Sequence, residues 1–304
     1  MILLPTDRTI SIANGWCAYC SRPLTARTRT RDHLLARRFV PQGTLLNSFN
    51  IGLWACGNCN TRKSRLEDDI SAITMQPNVD GIYARDDDRL RRTAERKARG
   101  SISADTGIHV ARSRPRLNVN LPFGSASANI EFTGAARIDD ARAEQLACLQ
   151  VQGIFYFQTF RRELGRGRLL QRQNFHMACI ASRADWGNPR MRAFMSAATA
   201  EPQFHATLAD GYFRAWLRAR ADGLLAWAVE WNESYRCVGF WGDPAACQAA
   251  IAALPELEVE FVAGDTTNGL AFRIETALPD DEDDLFEPPP EMALAAIPAT
   301  PHWT

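Results

Sequence analysis

The order of apolar and polar residues predicts a chain that mixes helices with short strands. Apolar residues recur every three or four positions over residues 146–164, which predicts a helix with one buried face, capped by Asp139 or Asp140. Short apolar or alternating runs bounded by turn residues predict strands over residues 117–123, 129–135, 175–182, 204–220, 224–231, 235–241, 257–263 and 269–276. Further helices are predicted over residues 84–100, 189–198 and 244–254. Residues 117–278 are therefore expected to form an α+β domain with an antiparallel sheet.

The N-terminal part contains two strand patterns followed by a helix pattern. Side chains alternate over residues 29–33, and Pro41 breaks any helix that could start after them. Residues 50–55 have the composition of a returning strand. A helix is predicted from about residue 58, and its spacing places Asn60 and Lys63 on one face. This part is therefore expected to have the order strand, strand, helix.

Two pairs of cysteines flank these elements. Cys17 and Cys20 form one Cys-x2-Cys pair, and Cys56 and Cys59 form a second pair after an interval of 35 residues. Each short turn points two sulfur atoms in the same direction, so four thiolates can converge on one tetrahedral ion. Because cytosolic proteins rarely use such pairs as disulfides, the spacing predicts a structural Zn²⁺ site.

The same segment holds further polar residues in a characteristic order: Asp32, His33, Asn47, Asn50, Asn60 and Lys63. Together with the cysteine pairs, this order resembles the HNH endonuclease family, in the version that carries a four-cysteine structural zinc. The resemblance covers the chain from Cys17 to about Leu66. It implies the ββα-metal fold and the hydrolysis of phosphodiester bonds in DNA.

The resemblance also implies a role for individual residues. Asp32 and Asn60 would hold a catalytic divalent cation, and His33 would accept a proton from the attacking water. The central asparagine, which orients the histidine in the family, falls on Asn50 or Asn47. Independently of the family, an imidazole with an ordinary pKa of about 6.5 can accept a proton at neutral pH. Oxygen ligands from Asp and Asn suit Mg²⁺ or Mn²⁺.

Positive charge is concentrated in this segment. Residues 21–65 contain nine Arg or Lys and a single acid, Asp32, which gives a local net charge of +8, whereas the whole chain has a net charge of +0. Such a concentration attracts phosphate groups, so a polyanionic partner is expected, and the HNH resemblance implies that this partner is DNA. The residues expected to contact nucleic acid are Arg29, Arg31, Arg37, Arg38, Arg62 and Lys63.

The HNH resemblance and the composition together predict four segments along the chain. These are an HNH nuclease module with its four-cysteine zinc site over residues 1–75, a charged helix and linker over 76–116, an accessory domain over 117–278, and an acidic, proline-rich tail over 279–304. The accessory domain carries a net charge of −2, so sensing, docking to a protein partner or a second copy, and target specificity all stay open for it. The tail has seven acids and no Lys or Arg, which predicts disorder.

Hydropathy along the chain predicts where the protein is located. The sequence has neither the run of about eighteen apolar residues that spans a bilayer nor a signal peptide, so we expect a cytoplasmic protein without membrane contact.

Two alternative functions stay open. A catalytically silent zinc module that binds nucleic acid or a protein is one alternative, which the intact Asp32, His33 and Asn60 disfavour. An RNA-cleaving HNH enzyme is the other, because nothing in the sequence distinguishes a 2′-hydroxyl.

Overall fold

A three-stranded sheet and a helix form the N-terminal part of the protein. The computed structural model describes residues 8–46, 48–114, 116–123, 126–133, 137–198, 201–258, 260–263, 270–272 and 274–287. The strands are β1 (Thr9–Ser11), β2 (Arg29–His33) and β3 (Asn50–Cys56), and the helix is α1 (Gly57–Thr74). β3 lies in the centre, parallel to β1 and antiparallel to β2. The predicted order of β2, β3 and α1 is confirmed.

A charged helix and a hairpin follow this unit. The helix is α2 (Asp88–Gly100), and the hairpin consists of β4 (Arg116–Phe123) and β5 (Ala126–Thr133). The side chain of Asp87 caps α2 by accepting a 2.7 Å hydrogen bond from the Arg89 backbone N–H. Leu90 and Ala94 are buried, so one face of this charged helix packs against the protein instead of facing solvent.

A five-stranded antiparallel sheet dominates the second half of the chain. Its strands are β6 (Phe175–Ser182), β7 (Glu201–Leu208), β8 (Phe213–Ala219), β9 (Leu225–Trp231) and β10 (Tyr235–Trp241), in the spatial order β6-β10-β9-β8-β7. Three helices accompany it, namely α3 (Asp140–Gln158), α4 (Pro189–Ala197) and α5 (Pro244–Ala252), and β11 (Glu260–Ala263) pairs with β12 (Leu270–Phe272). The predicted α+β class with antiparallel sheets is confirmed. No helix in the described ranges is both long and apolar enough to cross a bilayer.

The prediction of one continuous strand over residues 204–220 is wrong. The chain reverses at Ala209 and Asp210, whose φ angles are 54° and 57°, and β8 then runs back along β7. Gly211 follows with a φ of 96°, a conformation that favours glycine. The pair Asp210-Gly211 is a turn signal that the length of the apolar run obscured.

One apolar core joins the N-terminal unit to the five-stranded sheet. Ile154 of α3 belongs to the same buried cluster as Leu53 of β3 and Trp231 of β9. α3 packs closely on the N-terminal unit at Gly153, where an added Cβ would lie 3.1 Å from Leu34 and 3.3 Å from Leu53. Because α3 packs against both the N-terminal unit and the five-stranded sheet, these two parts share one apolar core.

The opposite face of the sheet is covered by α4, α5 and the segment that follows β12. Phe286 is buried in this second cluster, and Asp283 accepts a 2.8 Å hydrogen bond from the guanidinium of Arg236, which is itself fully buried. Part of the predicted tail, residues 279–287, therefore makes tertiary contacts with the second cluster. The remainder of the predicted tail, residues 288–304, lies outside the described residues.

Candidate metal centre and catalytic site

Four cysteine thiols converge where β3 meets α1. Cys17 and Cys20 lie in a turn between β1 and β2, whereas Cys56 ends β3 and Cys59 lies in the first turn of α1. Their Sγ atoms all lie within 4.8 Å of one another, and those of Cys20 and Cys56 are 3.7 Å apart. Four sulfur atoms at the usual Zn–S distance of about 2.3 Å would stand about 3.8 Å apart at the corners of a tetrahedron. The cluster therefore has the dimensions of a structural metal site.

The electrostatics of the cluster also favour a bound cation. Burial raises the pKa of Cys59, and the charge of Cys17 raises it further. At Cys56 burial also acts to raise the pKa, but hydrogen bonds from the Cys59 backbone and from the neighbouring thiols lower it to about 7. All four thiols can ionise in this space only if a cation offsets their charge. A soft, tetrahedral ion such as Zn²⁺ meets that requirement.

Asp32 is buried between β2 and α1. Its side chain faces α1, where Lys63 Nζ lies 3.4 Å from Asp32 Oδ1. The same oxygen accepts a 2.9 Å hydrogen bond from the His33 backbone N–H, and Oδ2 accepts one from the Tyr19 hydroxyl. Since Tyr19 lies between the two cysteines of the first pair, this hydrogen bond connects the Asp32 carboxylate directly to the metal-binding turn.

His33 occupies the last position of β2 and is half-buried. Burial lowers the pKa of its imidazole, and the positive charge of Arg31 lowers it further. The ring is therefore neutral at pH 7 and can accept a proton, which is what a general base requires. Within the described part of the chain, no side chain forms a hydrogen bond with this imidazole. The ring nitrogens are thus free to bind water.

Lys63 corrects one expectation from the sequence. The sequence predicts that Lys63 contacts nucleic acid. Its side chain is 0% exposed, however, so the ammonium cannot reach a phosphate. It donates hydrogen bonds of 2.7 Å to Glu67 Oε1 and of 2.8 Å to the His33 carbonyl. Burial acts to lower the pKa of Lys63, but the charges of Glu67 and Asp32 raise it above the ordinary lysine value. Lys63 is therefore a buried cation that fastens α1 to the end of β2.

We expect Lys63→Met to lower the free energy of unfolding by about 3–5 kcal/mol, because it leaves the buried Asp32 and Glu67 carboxylates without their partner. Denaturant unfolding of the full chain measures this change. Arg62→Met is the matched control, since Arg62 is the preceding residue and is exposed; there we expect a change within about 0.5 kcal/mol. Equal effects of the two substitutions would contradict the buried role of Lys63.

Asn50 holds the segment that follows His33. Its Nδ2 donates a 2.9 Å hydrogen bond to the Leu35 carbonyl, and its Oδ1 accepts a 3.3 Å hydrogen bond from the Leu35 backbone N–H. These two hydrogen bonds fix the chain two residues after His33 against the start of β3. Asn47, the alternative for this role, lies outside the described residues.

Asn60 lies on α1, one turn before Lys63, and is half-buried. Residues three apart on a helix lie on the same side. Because Lys63 contacts Asp32, Asn60 lies on the side of α1 that faces β2, one turn nearer to the start of the helix. Among the described residues, no hydrogen bond engages its side-chain amide. Its amide oxygen is therefore available to a ligand.

Sequence reasoning missed two members of this network, Tyr19 and Glu67. Glu67 carried a usable signal, because it lies four residues after Lys63 on the same helix and such pairs are in reach of each other. Tyr19 carried none, since its contact with Asp32 depends on how the cysteine turn packs. Burial and the neighbouring Asp32 carboxylate raise the pKa of Tyr19 well above the ordinary tyrosine value, so its hydroxyl remains a donor.

The other residues assigned to nucleic acid all lie at the surface: Arg29, Arg31, Arg37, Arg38 and Arg62. The guanidinium of Arg29 stacks 4.6 Å above the centroid of the Trp54 ring, and that of Arg31 donates a 3.1 Å hydrogen bond to Ser11 Oγ. Both contacts orient the side chain and leave its charge exposed.

Comparisons with protein-family models, with curated proteins and with solved structures found no match for this chain. The geometry itself establishes a four-cysteine cluster that can hold a metal ion, next to a buried network centred on Asp32. The structural zinc predicted from cysteine spacing therefore has a site of suitable dimensions.

Proposed function

We propose that this protein is a metal-dependent DNA endonuclease of HNH type. One observation carries the proposal: Asp32 and His33 end β2, Lys63 of α1 contacts Asp32, and Asn60 lies one turn before Lys63 on the same helix, next to Cys59 of the four-cysteine cluster. The motif residues thus come from a strand–strand–helix unit, in the order that the HNH resemblance requires. The exposed arginines around this unit supply positive charge for a polyanionic substrate.

The side chains of Asp32 and Asn60 fit a hard divalent cation. Oδ2 of Asp32 accepts a hydrogen bond from Tyr19 and keeps a second lone pair, because each carboxylate oxygen offers two. Lys63 only partly offsets the charge of Asp32, since its ammonium is 2.7 Å from Glu67 and 3.4 Å from Asp32. Oxygen donors of this kind suit Mg²⁺ or Mn²⁺, and such an ion offsets the charge that develops on the leaving oxygen.

The chain's own residues supply proton transfer and positioning. The neutral imidazole of His33 takes a proton from the attacking water as the new oxygen–phosphorus bond forms. The bond from phosphorus to the 3′ oxygen breaks, and that oxygen acquires a proton from solvent. Asn50 keeps the segment after His33 in place through its two hydrogen bonds to Leu35.

A catalytically silent zinc module is the second candidate, and one observation favours it. Asp32 is only 6% exposed, and its carboxylate already accepts hydrogen bonds from Tyr19 and from the His33 backbone. A carboxylate in this position can serve solely as an anchor between the metal-binding turn and β2. The exposed arginines would then bind nucleic acid without cleaving it.

A cleavage assay separates the candidates. Supercoiled plasmid, single-stranded DNA and RNA are each incubated with the purified protein in Mg²⁺, in Mn²⁺ or without added divalent cation. We expect the plasmid to be nicked or linearised only when a divalent cation is added. Cleavage of RNA alone would replace DNA as the substrate. Binding of DNA without cleavage of any substrate would establish the silent module instead.

Asn60→Ala is expected to raise the Mg²⁺ concentration that gives half-maximal cleavage by at least about tenfold, as the loss of support around a metal commonly does. The measurement is the cleavage rate as a function of Mg²⁺ concentration. Ser64→Ala is the control, because Ser64 is exposed one turn farther along α1. An unchanged Mg²⁺ dependence in Asn60→Ala would remove Asn60 from the cation site.

A further inference from the structure

A surface groove lies between α1 and α3, outside the proposed catalytic site. Its volume is about 420 Å³. The polar residues that line it come from both helices: Asn58, Thr61, Arg62, Arg65, Arg142 and Gln145. α1 belongs to the strand–strand–helix unit and α3 to the second half of the chain, so the groove exists only because these two parts pack together.

The groove and the proposed catalytic residues occupy opposite sides of α1. Successive residues of an α-helix are rotated by about 100°. Asn60 and Lys63 therefore share one side, and Lys63 is buried there against β2. Arg62 and Arg65 point away from that side, towards α3. A ligand in the groove would not compete with the residues around Asp32.

Three guanidinium groups meet in the groove, and one of them is held in place. Arg142 Nη2 donates hydrogen bonds of 2.5 Å to Asp69 Oδ1 and of 3.4 Å to the Arg65 carbonyl. Arg62 and Arg65 are exposed, and no carboxylate lies within ion-pair distance of either among the described residues. Two uncompensated cations therefore face a third whose charge is balanced by Asp69.

The amides of Asn58 and Gln145 add neutral hydrogen-bond donors to the groove.

We propose that the groove between α1 and α3 binds a backbone phosphate of the nucleic acid, away from the phosphodiester that is cleaved. Arginine forms paired hydrogen bonds with phosphate oxygens, and a fixed Arg142 would set the position of the phosphate between Arg62 and Arg65. Such contacts fix the orientation of the duplex without reading its sequence. The inference rests on the proposed function for the identity of the ligand, and it gives α3 a part in substrate binding.

Duplex binding by Arg62→Ala/Arg65→Ala tests this inference. Affinity for a labelled duplex is measured over a series of salt concentrations, without added divalent cation and in a His33→Ala background. Each neutralised phosphate contributes about 0.9 to the slope of log K against log salt, so we expect the slope to fall by about 0.9 for the single phosphate in the groove. We also expect binding at low salt to weaken by at least about tenfold, and Arg62→Lys/Arg65→Lys to restore most of the slope.

Arg183→Ala/Arg192→Ala is the matched control. It removes the same charge from two partly exposed arginines beyond the other face of the sheet, where they pair with Asp280 and Glu282. The control should keep the wild-type slope. An equal loss in both double variants would overturn the groove in favour of a general charge effect, and an unchanged slope in Arg62→Ala/Arg65→Ala would overturn it outright.

Two further outcomes keep the groove and the proposed enzyme apart. Wild-type protein that binds the duplex but does not cleave it would refute the endonuclease, while the slopes would still decide the groove. Inorganic phosphate is tested as a free ligand through its effect on thermal unfolding. If it stabilises the wild type but not Arg62→Ala/Arg65→Ala, and duplex binding is equal in the two, the groove is a free-phosphate site and the inference is wrong.

Discussion

His33→Ala is expected to cut a plasmid at least about a hundredfold more slowly than the wild type, because it removes the general base that takes the proton from water. The structure gives a physical reason to expect an active base there. Burial and the charge of Arg31 lower the pKa of His33, so the imidazole is neutral near pH 7. Cleavage rates at saturating Mg²⁺ measure the effect.

The lower cleavage rate of His33→Ala is expected to come from the chemical step alone. Zinc content and duplex affinity of His33→Ala should stay near the wild-type values, since neither the four thiols nor the exposed arginines are changed. His109→Ala is the matched control, because it removes another histidine that is exposed and distant in sequence from the motif. Wild-type rates in His33→Ala would place the active site elsewhere or favour the silent zinc module.

Local patterns predicted the elements around the site well. β2 and β3 were expected over residues 29–33 and 50–55, and the structure has Arg29–His33 and Asn50–Cys56. Alternation, a helix breaker and cysteine spacing are properties of adjacent residues, so the sequence displays them directly. The cysteine spacing places two thiols together within each pair, whereas the meeting of the two pairs depends on packing between segments that are 35 residues apart.

Tertiary contacts explain what the sequence could not show. The sequence alone places Lys63 among the exposed basic residues of this segment. The packing of α1 against β2 buries it instead, and there it pairs with Glu67. Likewise, the acidic composition of residues 279–304 predicts disorder, yet residues 279–287 form tertiary contacts. Arg236 balances part of that charge through Asp283, although the two residues are 47 positions apart. Composition describes a segment by itself and carries no information about such partners.

α3 joins the second half of the chain to the N-terminal unit that contains the proposed site. α3 contacts Leu34 and Leu53 at Gly153 on one side of the N-terminal unit and forms the arginine-lined groove with α1 on another. The second half of the chain therefore packs against the N-terminal unit and also borders its positively charged surface. α3 packs against both the five-stranded sheet and the N-terminal unit.

Loss of the structural metal is expected to destabilise the protein and to abolish cleavage together. We expect one Zn²⁺ per chain in the wild type and none in Cys56→Ser, because a site with three thiolates is no longer closed. The turn that holds Cys17 and Cys20 would then be released, and with it the hydrogen bond from Tyr19 to Asp32. Elemental analysis measures the zinc content, thermal unfolding measures the stability, and the plasmid assay measures cleavage.

The extent of unfolding in Cys56→Ser should reflect the shared core. Structural zinc supplies about 10–16 kcal/mol of apparent binding free energy in isolated zinc-finger peptides, which unfold without it. Here Leu53 packs in one cluster with Ile154 and Trp231, so we expect a lower unfolding temperature with the five-stranded sheet retained. Cys148→Ser, at a cysteine outside the cluster, should keep both zinc and stability. Unchelated wild-type protein that contains no zinc would refute the metal site, and with it the link from the cysteine cluster to Asp32.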